Sequence, residues 1–471
     1  MVHHLLLLEL LYNARNTPYG IGNSHHGKVK HTVTGYSMYK NFTFAQSALL
    51  VGAALLSTQA KSAGFQIVEH SASGLGRAFA GEAAIADNAS TLARNPASLS
   101  MLESANFTSG ISFIDPDVQV QFLEIAGNGG LQNSAYEDEA APTALVPNAF
   151  YSRPINDKWT WGMGAYADFG LASDYSDTVN EEFGEIAGDT AVSVINLNNS
   201  LAYEVNDSLT LGVSASILLA HAELNRYSNL ASVAPNYDGN LVSSMKGDGI
   251  GFGYKVGALY ELNENHRFGI AYTGASDIDM EGKFSGLQLN SPEGDGTFHY
   301  FTDIDGELTL NLPSILELSG YHQLNEKFAV HYSWVMIGWS SFQEIFAQSV
   351  GQECSNGTDG DRECLRKEEG WKDSNRFSVG ATGKVNEDWT VRLGWALDQT
   401  PTDQHVTASI PDSERTWMTA GTTYQMDAHT FDFGIAYIKG EDGEIHQEDG
   451  MYFSVEKSTA MIYSAQYSYN F

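Results

Sequence analysis

The sequence predicts an all-β chain: a transmembrane antiparallel β-barrel of 14 strands with an N-terminal hatch, or plug, inside its lumen. Three observations predict it. Short Asn/Asp turns alternate with long acidic segments along the chain, the last strand alternates with period two, and after an export-like leader no apolar run reaches the 18 residues that a spanning helix needs.

The leader comes first. Lys40 precedes the apolar stretch NFTFAQSALLVGAALLSTQA, and the small residues Ala60 and Ser62 stand three and one places before a cut ahead of Ala63. This is the charged, apolar, small-residue order of an export signal, with an apolar core too short to span. Met38 reads as the true start, residues 1–37 as an upstream extension, and 1–62 as removed. The run LLLLELL near the start is short and interrupted by Glu9.

The whole chain has 25 Lys+Arg against 58 Asp+Glu. Removal of 1–62 takes five basic residues and one acidic residue, leaving a net charge of −37 on 409 residues. Such a field disfavours nucleic acid and anionic surfaces as partners. The abundance of Gly, Tyr and Phe fits an exported β-rich protein.

Residues 63–102 follow, crowded with Gly, Ala and Ser and without strand alternation. They hold one compact polar turn, Arg94-Asn95-Pro96-Ala97. A segment this poor in apolar bulk makes no core of its own, and it reads as an insert into something larger.

Residues 103–471 supply the container. The turns Asn156-Asp157, Asn206-Asp207, Asn263-Glu264-Asn265, Asn325-Glu326, Asn386-Glu387-Asp388 and Asp427-Ala428 are each flanked by strand-like runs, as hairpin turns require. Between these hairpins lie seven longer polar segments, near 115–145, 172–190, 227–246, 283–303, 347–371, 400–412 and 440–457. Six turns and seven loops connect fourteen strands, with both ends on the short-turn, periplasmic side. Closing the sheet removes edges that lipid cannot satisfy. In the last strand Met461, Tyr463, Tyr467, Tyr469 and Phe471 share one face, and Ile462, Ser464, Gln466 and Ser468 the other. Fourteen strands enclose a lumen too wide for side chains to fill, so 63–102 is expected to plug it.

The two cysteines, Cys354 and Cys364, lie in the acidic run ECSNGTDGDREC, where a local disulfide is the plain reading for an exported chain. Asp359 and Asp361 between them do not follow an EF-hand spacing. No metal-ligand spacing appears, and nothing in the sequence calls for a cofactor.

At this point the chain resembles the FadL-type long-chain fatty acid transporters of the bacterial outer membrane (the OMPP1/FadL/TodX family). The resemblance lies in GFQIVEHSASGLGRAFAGEAAIADNASTLARNPA, with Asn95, Pro96 and Ala97 as the hatch motif. It continues in FIDPDV (113–118), APTALVPN (141–148), GLASDY (170–175), GFGYKVGALYEL (251–262), LNLPSILELSGY (310–321) and IPDSERTWMTAGTTY (410–424), and covers 57–471. It implies a monomeric barrel without catalytic activity, in which a groove between extracellular loops captures a fatty acid and passes it to a lumen pocket. A kink in the third strand then opens the wall sideways, and here Asp168, Phe169 and Gly170 stand where that kink falls. A strand end before a loop is the other reading of those three residues. The resemblance further implies that Arg226 and Lys367 hold the ligand carboxylate; read alone, both are loop cations pairing with Glu223, Glu368 or Glu369. The terminal Phe471 resembles the signature read by the barrel assembly machinery. Outer-membrane lipid and lipopolysaccharide are the surroundings it implies.

Other readings are weaker. An outer-membrane lipase needs an activated Ser beside a His, and no nucleophile-elbow pattern accompanies His70, His221, His322, His331 or His405. A general porin needs an unplugged lumen. A carrier of aromatic hydrocarbons on the same fold is not separated by sequence, except that Arg226 and Lys367 favour a carboxylate.

Overall fold

The computed structural model describes residues 64–126, 129–228, 241–290, 297–350, 363–402 and 406–471. The leader expected over 1–62, its start at Met38, and Cys354 lie outside these residues. Cys364 is disulfide-bonded.

In chain order the strands are β1 (Asn106–Ile125), β2 (Leu131–Glu137), β3 (Ala144–Asn156), β4 (Trp159–Ser173), β5 (Asp189–Asn206), β6 (Leu209–Tyr227) and β7 (Leu241–Asn263). There follow β8 (His266–Thr273), β9 (Ser276–Asn290), β10 (Thr297–Leu312), β11 (Ile315–Asn325), β12 (Phe328–Ile337), β13 (Glu344–Ser349) and β14 (Glu363–Glu368). The last are β15 (Ser374–Lys384), β16 (Trp389–Asp398), β17 (Arg415–Met426), β18 (His429–Gly440), β19 (Ile445–Glu448) and β20 (Met451–Asn470). Four crossings of the wall are made in two pieces: β8 with β9, β10 with β11, β12 with β13, and β14 with β15. With β1, β3 to β7, β16 to β18 and β20 they give a fourteen-stranded antiparallel barrel. β20 closes it against β1, from Asn106↔Asn470 to Leu123↔Tyr452.

The six short turns fall where the Asn/Asp signals put them. In five of them the Asn side chain accepts from the backbone N–H two residues on, as Asn156 Oδ1 does from Lys158 at 3.0 Å. This local bond is why Asn serves there. Near this end sit paired aromatic rings such as Trp159 with Tyr203, and Trp389 with Tyr424, as in the girdle of an outer-membrane barrel. The outward rows carry exposed apolar residues such as Ile111, Leu211, Val213, Phe268, Ile270, Leu393, Phe433 and Tyr463. On β20 the inward Ile462, Ser464, Gln466 and Ser468 are buried, so the period-two reading holds.

Several segments read as loops are strand in part: β7 begins inside 227–246, β14 lies inside 347–371, and β19 with the start of β20 takes up most of 440–457. β1 continues through 115–125 and pairs with β2, and β9 and β10 continue through most of 283–303 as a paired ribbon. The polar composition of these stretches hides an alternation (Val118, Val120 and Phe122 are buried) that keeps the ladder running beyond the apolar belt.

Residues 64–99 lie inside the ring and are almost wholly buried. They form a one-turn helix α1 (Ala72–Leu75) and two short 3-10 helices, Ala89–Ala93 and Pro96–Met101. The wall satisfies their backbone directly: Gly81 N–H donates to Ser333 Oγ at 2.8 Å, Ala83 N–H to Ser319 Oγ at 3.2 Å, and Ala72 N–H to Gln466 Oε1 at 3.1 Å. The segment's few large residues, Phe65, Ile67, Val68, Leu75, Phe79, Leu92 and Leu99, are all buried. They complete apolar clusters shared with the wall rather than a core of their own.

Candidate functional site

Asn95 anchors the buried segment. Its side chain caps the 3-10 helix that starts at Pro96, accepting from Ala97 N–H at 3.0 Å. Its amide also donates to the Ala83 carbonyl at 2.6 Å and to the Ala258 carbonyl of β7 at 3.1 Å. A Cβ on Gly257 would stand 2.0 Å from Asn95 Oδ1, so the wall admits this contact only with glycine there. Proline suits the first helical position because no N–H is needed at it. Arg94 binds Glu317 of β11, at 3.0 Å from Nε and 2.9 Å from Nη2.

Beside this segment the lumen is filled by a packed apolar cluster, the candidate chamber for an apolar ligand. Phe65, Phe169, Trp339, Phe342 and Trp371 form its centre, with ring centroids 4.6 Å apart for Phe65–Trp339, 5.3 Å for Phe65–Phe342 and 5.7 Å for Phe65–Trp371. Leu171, Val194, Leu218, Ile278, Leu310 and Ile410 extend it. Trp339 and Trp371 reach inward because the wall breaks between β12 and β13 and again between β14 and β15. Gly64, at φ +60°, lies against both indoles, and a Cβ there would meet Trp339 at 2.6 Å.

Arg226 and Lys367 sit at the extracellular end of this chamber, on strands rather than in loops: Arg226 is the penultimate residue of β6, and Lys367 lies in β14. The ladder again outlasts the apolar pattern. Lys367 bonds Ser409 Oγ and pairs with Glu448 at 3.2 Å, while the adjacent Arg366 pairs with Glu344 and Glu363 on the exposed face, as alternation along a strand dictates. Buried Arg226 donates to the Asn225 carbonyl at 2.8 Å and lies 3.5 Å from Thr190 Oγ1. Glu223 is taken by Lys246. Glu369, in the turn between β14 and β15, is buried beside the Trp371 indole, which donates to it at 3.3 Å. Burial raises its carboxyl to about 7, although Lys367 and Arg226 pull the other way.

The third spanning strand, β4, is irregular at the residues where the resemblance implies a kink. Its register with β5 shifts between Ala167 and Phe169, leaving Asp168 as the extra residue. β3 pairs with β4 only up to Ala149↔Ala165, and its residues 144–148 keep β1 alone. The freed edge of β4 is taken by the buried segment: Ile67 N–H donates to the Asp168 carbonyl at 2.8 Å, and Gly170 N–H to the Phe65 carbonyl at 2.7 Å. Gly170 allows close backbone approach, and a bulge re-aims the strand.

On the outer side, Leu224, Met245, Phe284, Leu308 and Ala347 line an apolar groove between the projecting ends of β6, β7, β9, β10 and β13, with Lys246 and Lys283 at its rim.

A family model described as outer membrane protein transport protein (OMPP1/FadL/TodX) matches residues 53–471. The chain belongs to this family of outer membrane proteins. It is 35% identical over 470 residues to the long-chain fatty acid transport protein of Escherichia coli K12, covering 92% of this chain and all of that one. It is 34% identical to outer membrane protein P1 of Haemophilus influenzae, covering 90% of this chain and 96% of that one. Among solved structures, a Pseudomonas aeruginosa FadL homologue superposes at a TM-score of 0.73 with 20% identity, over 87% of this chain and all of the other. The Pseudomonas putida toluene transporter TodX does so at 0.64 with 19% identity, over the same shares.

The sequence singled out Arg226, Lys367 and the Asn-Pro-Ala turn, and the resemblance put a kink at Asp168, Phe169 and Gly170. Sequence reasoning missed the aromatic centre, because Phe65, Trp339, Phe342 and Trp371 come from three separated stretches. It also missed Glu448 and Lys255, discussed below. The signal available was Gly64-Phe65, a lone aromatic at the head of a small-residue segment.

Proposed function

We propose that this protein takes up long-chain fatty acids across the outer membrane by passive diffusion. The observation that carries the reading is the apolar aromatic chamber with Arg226 and Lys367 at one end, since a desolvated carboxylate needs cationic donors while its tail needs only apolar burial. The ligand is captured in the outer groove, enters the chamber, and leaves sideways between β3 and β4 once residues 63–102 shift as a hatch. The relatives that carry the fatty acid name support this substrate class.

The same fold in TodX makes an aromatic hydrocarbon the second reading, favoured by the five-ring centre. On either reading the chain is a carrier rather than an enzyme. It works as a monomer among outer-membrane lipid and lipopolysaccharide, exported by a cleaved signal and inserted by the barrel assembly machinery.

The test is uptake of radiolabelled oleate by outer-membrane-intact cells lacking their own carrier and expressing this chain. Uptake above the empty-vector level supports the proposal. Uptake no higher than that level, with toluene entering faster, transfers the assignment to hydrocarbons.

A further inference from the structure

We propose that Lys255 is a second binding point for the ligand carboxylate, at the periplasmic end of the chamber and beside the wall opening. The inference rests on the fatty acid reading above.

Lys255 projects inward from β7 and is the one buried lysine among the described residues. Its Nζ donates to the Ala93 carbonyl, and among the described residues no carboxylate stands within ion-pair distance of it. An ammonium has three hydrogens to donate, and a buried charge is costly without a counter-charge. Two acids, Asp168 and Glu317, line the same cavity as Lys255 without coming within ion-pair distance of it. Asp168 accepts from Asn196 Nδ2 at 2.5 Å. Glu317 holds Arg94 through its Oε2 and Ser319 Oγ at 3.0 Å through its Oε1.

The surroundings are those of a site. Lys255, Arg94, His70, Asp168, Phe169 and Glu317 line one small cavity whose floor is the hatch. Asp168, Phe169 and Lys255 also line a second cavity that runs on to Asn196 and Leu218. Phe169 is shared with the aromatic chamber, so a head group on Lys255 leaves the tail in continuous apolar contact. Three buried polar atoms in this neighbourhood have no partner: His70 Nδ1, Asn196 Oδ1 and Tyr166 Oη. The His70 ring meets the Ala167 carbonyl through Nε2 at 2.9 Å, so Nε2 carries the hydrogen and Nδ1 is a bare acceptor. His70 borders the first cavity and Asn196 the second, and both unpartnered atoms there are acceptors, so what these cavities offer a carboxylate is the Lys255 ammonium.

The chamber thus has a cation at each end. Arg226 and Lys367 meet the carboxylate first, and Lys255 meets it beside the bulge at Asp168, where β4 has left β3. A hydrocarbon would gain nothing from this second cation.

The experiment uses purified full-length protein with oleate carrying carbon-13 at its carboxyl, and oleyl alcohol as the uncharged control. Two bound carboxyl resonances are expected in the native protein. Lys255→Met removes one and leaves the other, Lys255→Arg restores it, and alcohol affinity stays within about twofold. A single resonance untouched by Lys255→Met overturns the proposal. So does an equal loss of acid and alcohol binding in that variant, which marks Lys255 as a structural support for the hatch through Ala93. No bound oleate in the native protein would instead defeat the fatty acid reading itself. Should Lys255→Met fail to give a heat-resistant barrel, Lys255→Gln is read by the same two outcomes.

Discussion

The Phe65 carbonyl accepts the Gly170 N–H at 2.7 Å, while the Phe65 ring packs against Trp339 with centroids 4.6 Å apart and planes tilted by 58°. One residue therefore closes the free edge of β4 with its backbone and fills the centre of the chamber with its side chain. On the proposed reading, a ligand that took the ring's place would disturb the segment that holds the edge.

Phe65→Ala separates the two roles, since it keeps the backbone bond and removes the ring. A buried Phe→Ala change costs about 3–5 kcal/mol of packing, here confined to the chamber rather than the ladder. The expected result is a barrel that inserts and stays heat-resistant on gels but binds oleate at least tenfold more weakly. Unchanged affinity would show that the ring is not part of the ligand's surroundings.

Asn95→Ala removes a helix cap worth about 0.5–2 kcal/mol, together with the bonds to Ala83 and Ala258. Transport should fall severalfold while outer-membrane levels stay near normal. Deleting 63–102 should go further and leave an inserted barrel that conducts ions in planar bilayers. Conductance equal to that of the full chain would remove the plug assignment.

The parts legible in the sequence were those with local causes. Five of the six short turns are announced by an Asn that bonds its own backbone, and β20 alternates without interruption from Met461 to Tyr469. The bulge at Asp168 was placed only by resemblance, because nothing local separates a bulge from a strand end. What stayed hidden has non-local causes. The partner of Lys367 is Glu448, 81 positions away, and Trp339 and Trp371 meet at 5.0 Å only because two crossings break at the same level. Arg226 and Lys367 were read as loop residues because polar composition outside the apolar belt resembles a loop even where the ladder continues.

Glu369 gives a pH test. Burial holds its carboxyl near 7, above the ordinary 4.5, so the folded state favours the protonated form. Stability from this group is therefore present at low pH and lost as pH rises from about 4.5 through about 7. The same rise places a new negative charge beside Lys367 and Arg226. Binding of a long-chain alkyl sulfonate, charged throughout, should weaken as pH passes 7 in the native protein. Glu369→Gln should flatten that profile; a variant with the native profile would trace it to another group.

The head-group assignment is tested by Arg226→Ala and Lys367→Ala. The tail contributes about 0.8 kcal/mol per buried CH₂ whatever its end group, so total affinity is a poor probe and the difference between acid and alcohol is the useful one. A charge-assisted bond to the carboxylate contributes about 1.5–3 kcal/mol, which is roughly ten- to a hundredfold in Kd. Each variant should lose that factor for oleate and much less for oleyl alcohol, measured on purified protein in a detergent that does not compete. Lys367→Ala also leaves Glu448 without its cation, so repulsion adds to the loss, and the double change Lys367→Ala with Glu448→Gln should recover part of it. Equal losses for acid and alcohol in both variants would make these residues supports of the strand ends and put the carboxylate elsewhere.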